Sequence, residues 1–419
     1  MQTELADFIR NTADGDEADA ILRKCVHCGF CTATCPTYQL LGDELDGPRG
    51  RIYLIKQMLE GGSVTRSTQL HLDRCLTCRS CETTCPSGVQ YGRLVELGRQ
   101  HVEQTVPRPL RQRLLRRVLA SVLPNSALFA PAMRLGQLVR PFLPRRLRDK
   151  IPPRQRLLEW PDQAAAAAGL ADARATTRRM LLLAGCVQPA MLPNINIATA
   201  RVLHALGIET VIEPEAGCCG AIRLHLGYRD EALDDIRRNI DAWWPHVEAG
   251  IEAIVINASG CGATVKEYGH LLRNDAAYAE KAQRITDLSR DVAEVLSGFE
   301  TELAGLARRR GVHTVAYHPP CTLQHGQQIR GTVEHLLATL GVEVRLPVDS
   351  HLCCGSAGTY SVTQPSMSYT LRDRKVQNLE ALEPQMVVSG NVGCIAHLQS
   401  GTSMPVAHWV ELVEHLIYG

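Results

Sequence analysis

Four short apolar runs in the second half of the chain alternate with longer amphipathic stretches. Such runs are typical of buried strands, and they are Met180–Ala184, Ala253–Asn257, Thr314–Tyr317 and Met386–Ser389. Stretches with apolar residues at helical spacing are Ile195–Leu206, Asp230–Glu248, Arg330–Leu340 and Ser366–Leu382. This alternation of strand and helix predicts open, mostly parallel sheets covered by helices.

The first hundred residues carry helical patterns instead. These are Asp16–Lys24, Arg49–Glu60, Thr65–Arg74 and Tyr91–Gln104. Asp46-Gly47-Pro48 and Gly61-Gly62 supply turn signals on either side of the second stretch. The N-terminal region is therefore predicted to be an α-helical domain rather than a compact β-rich one.

Two cysteine runs of identical spacing lie within this helical region. Each reads Cys-x2-Cys-x2-Cys-x3-Cys-Pro, which is the pattern of bacterial ferredoxins with two [4Fe–4S] clusters. The first run contains Cys25, Cys28, Cys31 and Cys35, and the second contains Cys75, Cys78, Cys81 and Cys85. In this pattern the fourth cysteine of each run binds the cluster held by the other run.

The pattern therefore assigns four cysteines to each of two [4Fe–4S] clusters. The first cluster is predicted at Cys25, Cys28, Cys31 and Cys85. The second is predicted at Cys35, Cys75, Cys78 and Cys81. Structural zinc is the main alternative, because zinc sites also use Cys-x2-Cys pairs. Zinc gives no reason for two identical runs that each end in proline, so iron–sulfur clusters are favoured.

Cysteines also mark an internal repeat from Arg178 onward. Each copy has a single cysteine, then an adjacent pair followed by glycine, then another single cysteine. The first copy has Cys186, Cys218, Cys219 and Cys261, and the second has Cys321, Cys353, Cys354 and Cys394. Corresponding cysteines lie 133 to 135 residues apart. The repeat predicts two similar α/β lobes.

The lobe cysteines are expected to converge at one edge of each sheet. Ligands of open parallel sheets bind beyond the carboxyl ends of the strands, and the single cysteines follow the predicted strands. The glycine after each pair permits the sharp bend that two adjacent ligands require. One or two further iron–sulfur clusters are therefore predicted in the lobes. The alternative is eight buried, unreactive cysteines.

Composition and charge narrow the class of protein. The chain has 419 residues, of which 45% are hydrophobic and 21% charged, as in globular proteins with a hydrophobic core. Its formal charge of +1 gives no bias toward nucleic acid. No run approaches the roughly 20 apolar residues of a membrane-spanning helix, and the acidic start of the chain has no apolar signal core.

Clustered cysteines without a secretion signal indicate metal binding in a reducing compartment. We therefore expect a cytoplasmic protein, at most peripheral on the cytoplasmic face of the inner membrane. The predicted fold class is α plus α/β, divided into four parts. These are an α-helical two-cluster ferredoxin domain at 1–105, a basic helical connector and linker at 106–177, a first Cys-Cys-Gly lobe at 178–300 and a second at 301–419.

The connector is the most strongly charged segment. Positions 106 to 150 contain eleven basic residues and one acid, Asp149. Its prolines are expected to break it into short helical pieces, and they are Pro107, Pro109, Pro124, Pro131, Pro141 and Pro144. It is either a solvated interdomain connector or a basic amphipathic patch for anionic lipid or an acidic partner subunit. The alanine-rich stretch 161–177 is expected to be a flexible linker.

Several longer stretches resemble a known family. They are CVHCGFCTATCPTYQLLGDELDGPRGRIYLIKQ, HLDRCLTCRSCETTCPSGV, NIDAWWP, SGCGATVKEYG, CTLQH and HLCCGSAGTY. The Cys-Cys-Gly lobes are similar to those of the heterodisulfide reductase catalytic subunit. Their joining to a two-cluster ferredoxin resembles the iron–sulfur subunits of bacterial 2-hydroxy-acid and glycerol-3-phosphate dehydrogenases. Within that group the chain is most similar to the iron–sulfur subunits of glycolate oxidase.

This resemblance implies an electron-transfer subunit of a multi-subunit, flavin-dependent glycolate dehydrogenase, which oxidises glycolate to glyoxylate. FAD and the substrate site are then expected on flavoprotein partner subunits, and electrons are expected to pass on toward a respiratory quinone. The chain contains neither a G-x-G-x-x-G nor a G-x-x-x-x-G-K-S/T motif. The oxidation needs a hydride acceptor such as a flavin, so no catalytic residue is predicted on this chain.

One departure from the heterodisulfide reductase pattern concerns the lobes. That pattern has a further cysteine, at Cys-x-x-Cys, where this chain has Thr264 and His397. Four cysteines per lobe match the ligand count of a [4Fe–4S] cluster, and His397 is an alternative ligand. His318, His325 and His351 lie near the second-lobe cysteines in sequence and are expected to donate hydrogen bonds there or to conduct protons.

Other functions stay open at this point. The chain is alternatively the iron–sulfur subunit of a related lactate or anaerobic glycerol-3-phosphate dehydrogenase. A second alternative is a heterodisulfide-reductase-like subunit whose lobes themselves reduce a disulfide or a quinone. A third is a zinc-stabilised interaction module, which the cysteine spacing disfavours.

Overall fold

The computed structural model describes residues 1–161, 178–308 and 311–419. The predicted linker at 161–177 therefore lies outside the described residues, apart from Pro161. The predicted fold class is confirmed: a helical N-terminal region precedes two four-stranded parallel sheets with helices packed around them.

The N-terminal region is helical, as predicted. Its α-helices are Ala13–Lys24, Pro36–Leu41, Pro48–Leu59, Arg66–Asp73, Ser80–Thr84 and Tyr91–Thr105, with 3-10 turns at Phe30–Thr32 and Glu44–Asp46. Local signals explain where two of the helices begin. The Thr12 side chain accepts a hydrogen bond from the Gly15 amide, and Thr65 forms a capping box with Thr68. The inward faces of these helices form one apolar core around Ile21, Leu22, Ile55, Leu59 and Leu94.

A buried ionic network fixes the loop that follows the first cysteine run. Asp46 is completely buried. Its carboxylate contacts side-chain nitrogens of Arg51, Arg74 and His71 at 3.4, 2.8 and 3.1 Å. Thr37 donates a hydrogen bond to the Asp46 carbonyl at 2.7 Å. One carboxylate therefore joins the loop to the helices Pro48–Leu59 and Arg66–Asp73.

The basic connector forms the helices Leu110–Val122, Ser126–Val139 and Arg145–Arg148 and a 3-10 turn at Arg140–Phe142. The prediction that Pro131 breaks the helix is wrong, because Pro131 lies inside Ser126–Val139. Phe129 and Met133 are buried on either side of it, so packing carries the helix past the missing amide donor. In the described residues no single helix has the length and hydropathy to cross a membrane, but Leu110–Val122 and Ser126–Phe142, bent by 104°, pass that test as a pair.

The two sheets have the same topology. The first comprises β1 (Arg178–Leu182), β2 (Ile208–Val211), β3 (Ala253–Ile256) and β4 (Ser289–Asp291), in the order β2-β1-β3-β4. The second comprises β5 (Thr314–His318), β6 (Glu343–Arg345), β7 (Met386–Ser389) and β8 (Val406–His408), in the order β6-β5-β7-β8. All pairings are parallel.

The four predicted strands are the central pair of each sheet. The flanking strands β2, β4, β6 and β8 were not predicted from the sequence. Each of them has only three or four residues, and some of those residues are partly exposed, so none carries a continuous apolar run. A central strand is covered on both faces and is therefore apolar throughout.

Helices cover both sheets. In the first lobe they are Gln188–Met191, Asn194–Ala205, Ala221–His225, Arg229–Glu248, Ser259–Val265, Tyr268–Leu271, Ala279–Leu288 and Val292–Leu296, and Glu300–Leu306 leads into the second lobe. In the second lobe they are Thr332–Thr339, Tyr360–Thr363, Pro365–Glu380, Val392–Gln399 and Trp409–Tyr418, with a π turn at Thr322–Gly326. The four helices predicted in the lobes are all present, with bounds shifted by one or two residues.

The two lobes share one hydrophobic core. A single cluster of buried side chains runs from the first sheet through the helix Asn194–Ala205 to the second sheet and the helix Trp409–Tyr418. Arg201 pairs with Glu414 at 2.7 Å, and the buried His408 ring bonds the Asn257 carbonyl at 2.8 Å. The lobes are therefore joined by packing and by buried polar contacts.

The Asp46 network generates a stability prediction. Asp46→Ala should lower the free energy of unfolding by about 3–5 kcal/mol, because it leaves the buried Arg51 guanidinium without its carboxylate. Urea unfolding followed by far-UV circular dichroism measures this. Asp7→Ala is the control, since Asp7 is 96% exposed in its pair with Arg10, and it should leave the unfolding midpoint unchanged. Equal midpoints for both variants would contradict the network's structural role.

Candidate iron–sulfur sites

The first cysteine set lines one cavity beside the helix Pro48–Leu59. Five cysteines line this cavity, and they are Cys25, Cys28, Cys31, Cys81 and Cys85. Four of them are the predicted ligands of the first cluster, and Cys81 is a predicted ligand of the second. Burial and the neighbouring thiols raise the pKa of Cys31 to about 11. Four thiolates in this cavity repel one another, so they need a positively charged partner.

Left-handed backbone turns shape both cysteine runs. His27 and Gly29 have φ values of 57° and 84°, and Thr77 and Arg79, at the same places in the second run, have 55° and 58°. Only glycine adopts this conformation freely. The guanidinium of Arg79 forms a two-pronged ion pair with Glu267 at 2.6 and 2.9 Å. This pair holds the strained residue and joins the N-terminal domain to the first lobe.

The second cysteine set lies deeper in the molecule. Cys35, Cys75 and Cys81 are buried, whereas Cys28 of the first set is exposed. Burial raises the pKa of Cys81, and negative charge on Cys78, Cys75 and Cys35 raises it further. The four predicted ligands of the second cluster are therefore electrostatic neighbours.

Two arginines balance the charge of this second set. Burial acts to raise the pKa of Cys75, but the guanidinium groups of Arg51 and Arg99 outweigh it and leave the pKa below its usual value. Arg99 also donates to the carbonyls of Cys75 and Leu72 at 2.6 and 2.9 Å. Positive charge at this position favours the thiolate form that binds metal.

In the first lobe, three segments deliver four cysteines to one place. Cys186 follows β1, Cys218 and Cys219 follow β2, and Cys261 lies in the helix after β3. Hydrogen bonds from Cys186 and Cys219 lower the pKa of Cys218. A hydrogen bond between the Cys219 and Cys261 thiols links the fourth cysteine to the other three. The cysteines thus meet beyond the carboxyl ends of the strands, where the sequence places them.

The second lobe repeats the arrangement. Cys321 follows β5, Cys353 and Cys354 follow β6, and Cys394 lies in the helix after β7. The Sγ atoms of Cys321 and Cys353 are 3.9 Å apart, and Cys354 contacts both Cys353 and Cys394.

The glycine after each cysteine pair is needed for two reasons. Gly220 and Gly355 have φ values of 91° and 87°, and each lies against the helix behind it. A Cβ on Gly355 would lie 2.4 Å from the Ser368 carbonyl oxygen. The Gly355 amide also donates to Cys353 Sγ at 3.4 Å. The turn therefore bends the pair and supplies a donor to sulfur.

The cysteine sets are not isolated from one another. A cavity of about 200 Å³ between the N-terminal domain and the lobes is lined by Cys75 and by cysteines of both lobes. Burial raises the pKa of Cys78 in the second ferredoxin set, and negative charge on Cys321 raises it further. Leu76, Cys321, Cys353 and Tyr360 form one buried apolar cluster. The second ferredoxin set therefore lies against the second lobe.

Two side chains beside the second-lobe cysteines were not predicted as ligands or charge partners. His318 ends β5, is completely buried, and has a ring nitrogen within 4.8 Å of the Sγ atoms of Cys354 and Cys394. Lys375 is 2% exposed and donates to the Asp349 carbonyl at 2.5 Å. Burial lowers the pKa of Lys375 to about 8, although the nearby Cys354 and Cys353 favour its charged form. Lys375 lies on the helix Pro365–Glu380, 21 residues after Cys354, so no short motif marks it.

Three other residues singled out in the sequence, His397, Thr264 and His325, form hydrogen bonds with other parts of the protein. His397 bonds Ser368 Oγ at 3.1 Å, and Thr264 donates to the Gly260 carbonyl at 3.2 Å. His325 bridges Thr83 and the His351 carbonyl at 2.9 and 2.8 Å. These side chains have protein partners, and His325 links the second lobe to the N-terminal domain.

The donor sets fit [4Fe–4S] clusters. All sixteen cysteines are free thiols, and the sequence pattern divides them into four sets of four. Thiolates are the ligands that iron–sulfur clusters take, and four per cluster is the usual number. When bound, such a cluster supplies reversible one-electron transfer.

Comparisons with known proteins agree with this reading of the cysteines. Residues 21–89 match the 4Fe–4S dicluster domain family, and residues 180–266 and 315–399 each match the cysteine-rich domain family. The first match supports two [4Fe–4S] clusters in the N-terminal domain. The "Glycolate oxidase iron-sulfur subunit" of Escherichia coli (strain K12) is 53% identical over 100% of this chain and 99% of its own length.

The chain belongs to the family of glycolate oxidase iron–sulfur subunits. The "Probable glycolate oxidase iron-sulfur subunit" of Bacillus subtilis (strain 168) is 30% identical over 91% of the chain and 89% of its own length. The "Lactate utilization protein A" of Anoxybacillus flavithermus is 29% identical over 53% of the chain and 93% of its own length. Similarity to the glycolate oxidase subunits thus extends over almost the whole chain.

The turn at Gly355 generates the second prediction. Gly355→Ala should destabilise the protein by about 2–4 kcal/mol, because a Cβ there meets backbone and the left-handed φ disfavours alanine. It should also lower the iron content, since the turn positions Cys353 and Cys354. Thermal unfolding and iron per chain are the measurements.

Gly298→Ala is the matched control for this variant. No atom lies within 4 Å of a Cβ at Gly298, so this variant should match the wild type in both measurements. A Gly355→Ala protein with wild-type iron content and melting temperature would show that the turn is not required.

Proposed function

We propose that this chain is the electron-transfer subunit of a flavin-dependent glycolate dehydrogenase. In this proposal a flavoprotein partner oxidises glycolate to glyoxylate and releases two electrons and two protons. The sixteen cysteines of this chain hold the clusters that take those electrons to a respiratory quinone, which accepts two electrons and two protons. The single observation that carries the proposal is the contact between the second ferredoxin cysteine set and the second-lobe cysteines.

That contact makes the cysteine sets continuous. The first and second ferredoxin sets share residues of the same two runs, and Cys78 lies beside Cys321 and Cys353. The cavity next to them is lined by cysteines of both lobes. Short separations between successive sites are what an electron-transfer subunit requires, and a purely structural use of sixteen thiols gives no reason for this arrangement.

The exposed end of this series fits a partner subunit. Cys28 is exposed, and Val26 and Phe30 beside it are 68% and 61% exposed. Apolar side chains at the rim of a cavity are typical of protein contacts. We therefore place the flavoprotein partner at this face, so that electrons arrive at Cys25, Cys28, Cys31 and Cys85 and proceed inward.

The substrate site is assigned to the partner for a chemical reason. Oxidation of a 2-hydroxy acid needs a hydride acceptor, and the sequence has no dinucleotide-binding motif. Full-length similarity favours glycolate over the lactate alternative, because the glycolate oxidase relative aligns with the whole chain and the lactate utilization relative with only 53% of it.

A second candidate function rests on the cavity of about 200 Å³ between the N-terminal domain and the lobes. Its cysteine lining, together with Arg99, Arg116 and Tyr360, suits reduction of a quinone or a disulfide directly at the lobes. In that case a quinone analogue should alter the EPR spectrum of the lobe clusters. In the first candidate function the quinone binds away from the lobe cysteines, so such an analogue leaves the spectrum of the lobe clusters unchanged.

We further propose that the connector contacts an anionic membrane surface. Leu110, Leu114 and Val118 form an exposed stripe along one helix, and Leu135 and Leu138 do so along the next. Phe142, which follows them, is 88% exposed. This apolar surface matches the interface of a lipid bilayer, and it would place the protein on the cytoplasmic face of the inner membrane.

Charge on the connector supports the same assignment. Arg108, Arg116 and Arg117 are used internally, in ion pairs with Asp73, Glu103 and Glu231. Six exposed arginines form no ion pair with any described residue, and they are Arg111, Arg113, Arg134, Arg145, Arg146 and Arg148. Basic residues beside an apolar stripe are typical of helices that lie on anionic lipid.

The electron-transfer role is tested in the intact complex. Cys28→Ser removes one ligand from the exposed set, so glycolate should no longer produce the EPR signals of reduced clusters. Dithionite, which does not need the natural route, should still reduce the remaining clusters. The measurement is anaerobic EPR on the chain purified with its partner subunits.

Thr32→Ser, in the same run but without a thiol, is the control and should behave as wild type. Wild-type reduction by glycolate in Cys28→Ser would refute the route through the first set. Reduction of the wild-type complex by lactate or glycerol 3-phosphate but not by glycolate would favour the related dehydrogenases.

Membrane binding is tested with vesicles of phosphatidylethanolamine and phosphatidylglycerol. The double variant Arg145→Gln/Arg146→Gln should bind them about thirtyfold more weakly, because each arginine near an anionic surface contributes about 1 kcal/mol. Binding should also fall with added salt. Arg284→Gln, an exposed arginine of the first lobe, is the control and should bind normally. Undiminished vesicle binding with loss of a co-purifying subunit would instead assign the patch to a protein partner.

A further inference from the structure

The two lobes differ at one buried position next to the cysteines. His318 precedes Cys321 by three residues, and the residue at the same place before Cys186 is Leu183. Leu183 belongs to the apolar core of the first lobe. In the second lobe the same place holds an imidazole, which is able to bind metal.

The surroundings of His318 do not explain an imidazole in the core. The residue is completely buried, and neither ring nitrogen has a hydrogen-bond partner among the described residues. Buried polar side chains are nearly always bonded, so a leucine would be the expected residue here. By contrast His397, which is buried in the same lobe, bonds Ser368.

The position of the ring supplies the missing partner. A ring nitrogen of His318 and the Sγ atoms of Cys354 and Cys394 all lie within 4.8 Å of one another. Three donor atoms at such separations, on three different segments, are able to bind one metal ion. Imidazole nitrogen is an established ligand of iron in iron–sulfur clusters that also have cysteine ligands.

We propose that His318 is a nitrogen ligand to iron in the second-lobe cluster, in place of one of its four predicted cysteine ligands, and that the first-lobe cluster has cysteine ligands only. This rests on the proposed iron–sulfur content of the second lobe. Replacement of thiolate by neutral imidazole raises the potential of a cluster, because less negative charge surrounds the iron. The second-lobe cluster, which lies against the ferredoxin domain, then accepts electrons more readily than the first-lobe cluster.

The test is electron–nuclear double resonance on the reduced complex, prepared with ¹⁵N-labelled histidine. The wild type should show a histidine nitrogen coupling as strong as that of a metal-bound imidazole. His318→Leu, which copies the first lobe, and His318→Cys should both lose it. His318→Cys should keep the iron content, because a thiolate replaces the nitrogen, and its cluster potential should shift downward. His397→Leu is the matched control and should keep the coupling.

Two results would overturn the inference. One is a second lobe that contains iron but shows only the weak coupling of a hydrogen-bonded histidine. The other is a strong coupling that persists in His318→Cys. If the second lobe binds no iron–sulfur cluster at all, the result is different from these two. The wild type and Cys354→Ser would then have the same iron content, and no second-lobe signal would be observed.

Discussion

Thiolates repel one another when they are gathered in a dry cavity, and this repulsion governs the whole architecture. Burial and neighbouring thiols together raise the pKa of Cys31, Cys81 and Cys321. Such a group is stable as thiolates only around a positively charged core or beside buried cations. The left-handed turns in the ferredoxin runs and the glycine turns of the lobes all bring thiols closer than the chain would otherwise allow.

Buried cations relieve part of this repulsion, and they are distributed unequally. Arg51 and Arg99 lie beside Cys75, and Lys375 lies beside Cys353 and Cys354. In the first lobe the cation near the cysteines is Arg223, which lowers the pKa of Cys218 but is paired with the buried Asp235 at 2.6 Å. Positive charge is therefore concentrated where the second ferredoxin set meets the second lobe. Sites in that region should hold an added electron more readily than those of the first lobe.

The same asymmetry organises the proposed route. The first ferredoxin set opens to the surface between apolar side chains, the second is enclosed, and the second lobe lies directly behind it. The first lobe is attached to the ferredoxin domain chiefly by ion pairs, from Arg79 to Glu267 and from Glu17 to Arg273. Cysteines of both lobes thus line the cavity beside Cys75, and charged side chains in addition hold the first lobe to the ferredoxin domain.

Local patterns in the sequence determined much of this protein. Cysteine spacing is set by the few residues that wrap a cluster, so it predicts which thiols share a cluster, and the four predicted for the first cluster all line one cavity. The apolar runs predicted β1, β3, β5 and β7, because strands covered on both faces must be apolar along their length. The flanking strands, the helix that continues through Pro131 and the charge partners of the cysteines were decided only by the tertiary structure. Each depends on how separate elements pack together: Phe129 and Met133 are buried by packing that no local pattern encodes, and Lys375 reaches Cys354 only because the helix Pro365–Glu380 packs against the second sheet.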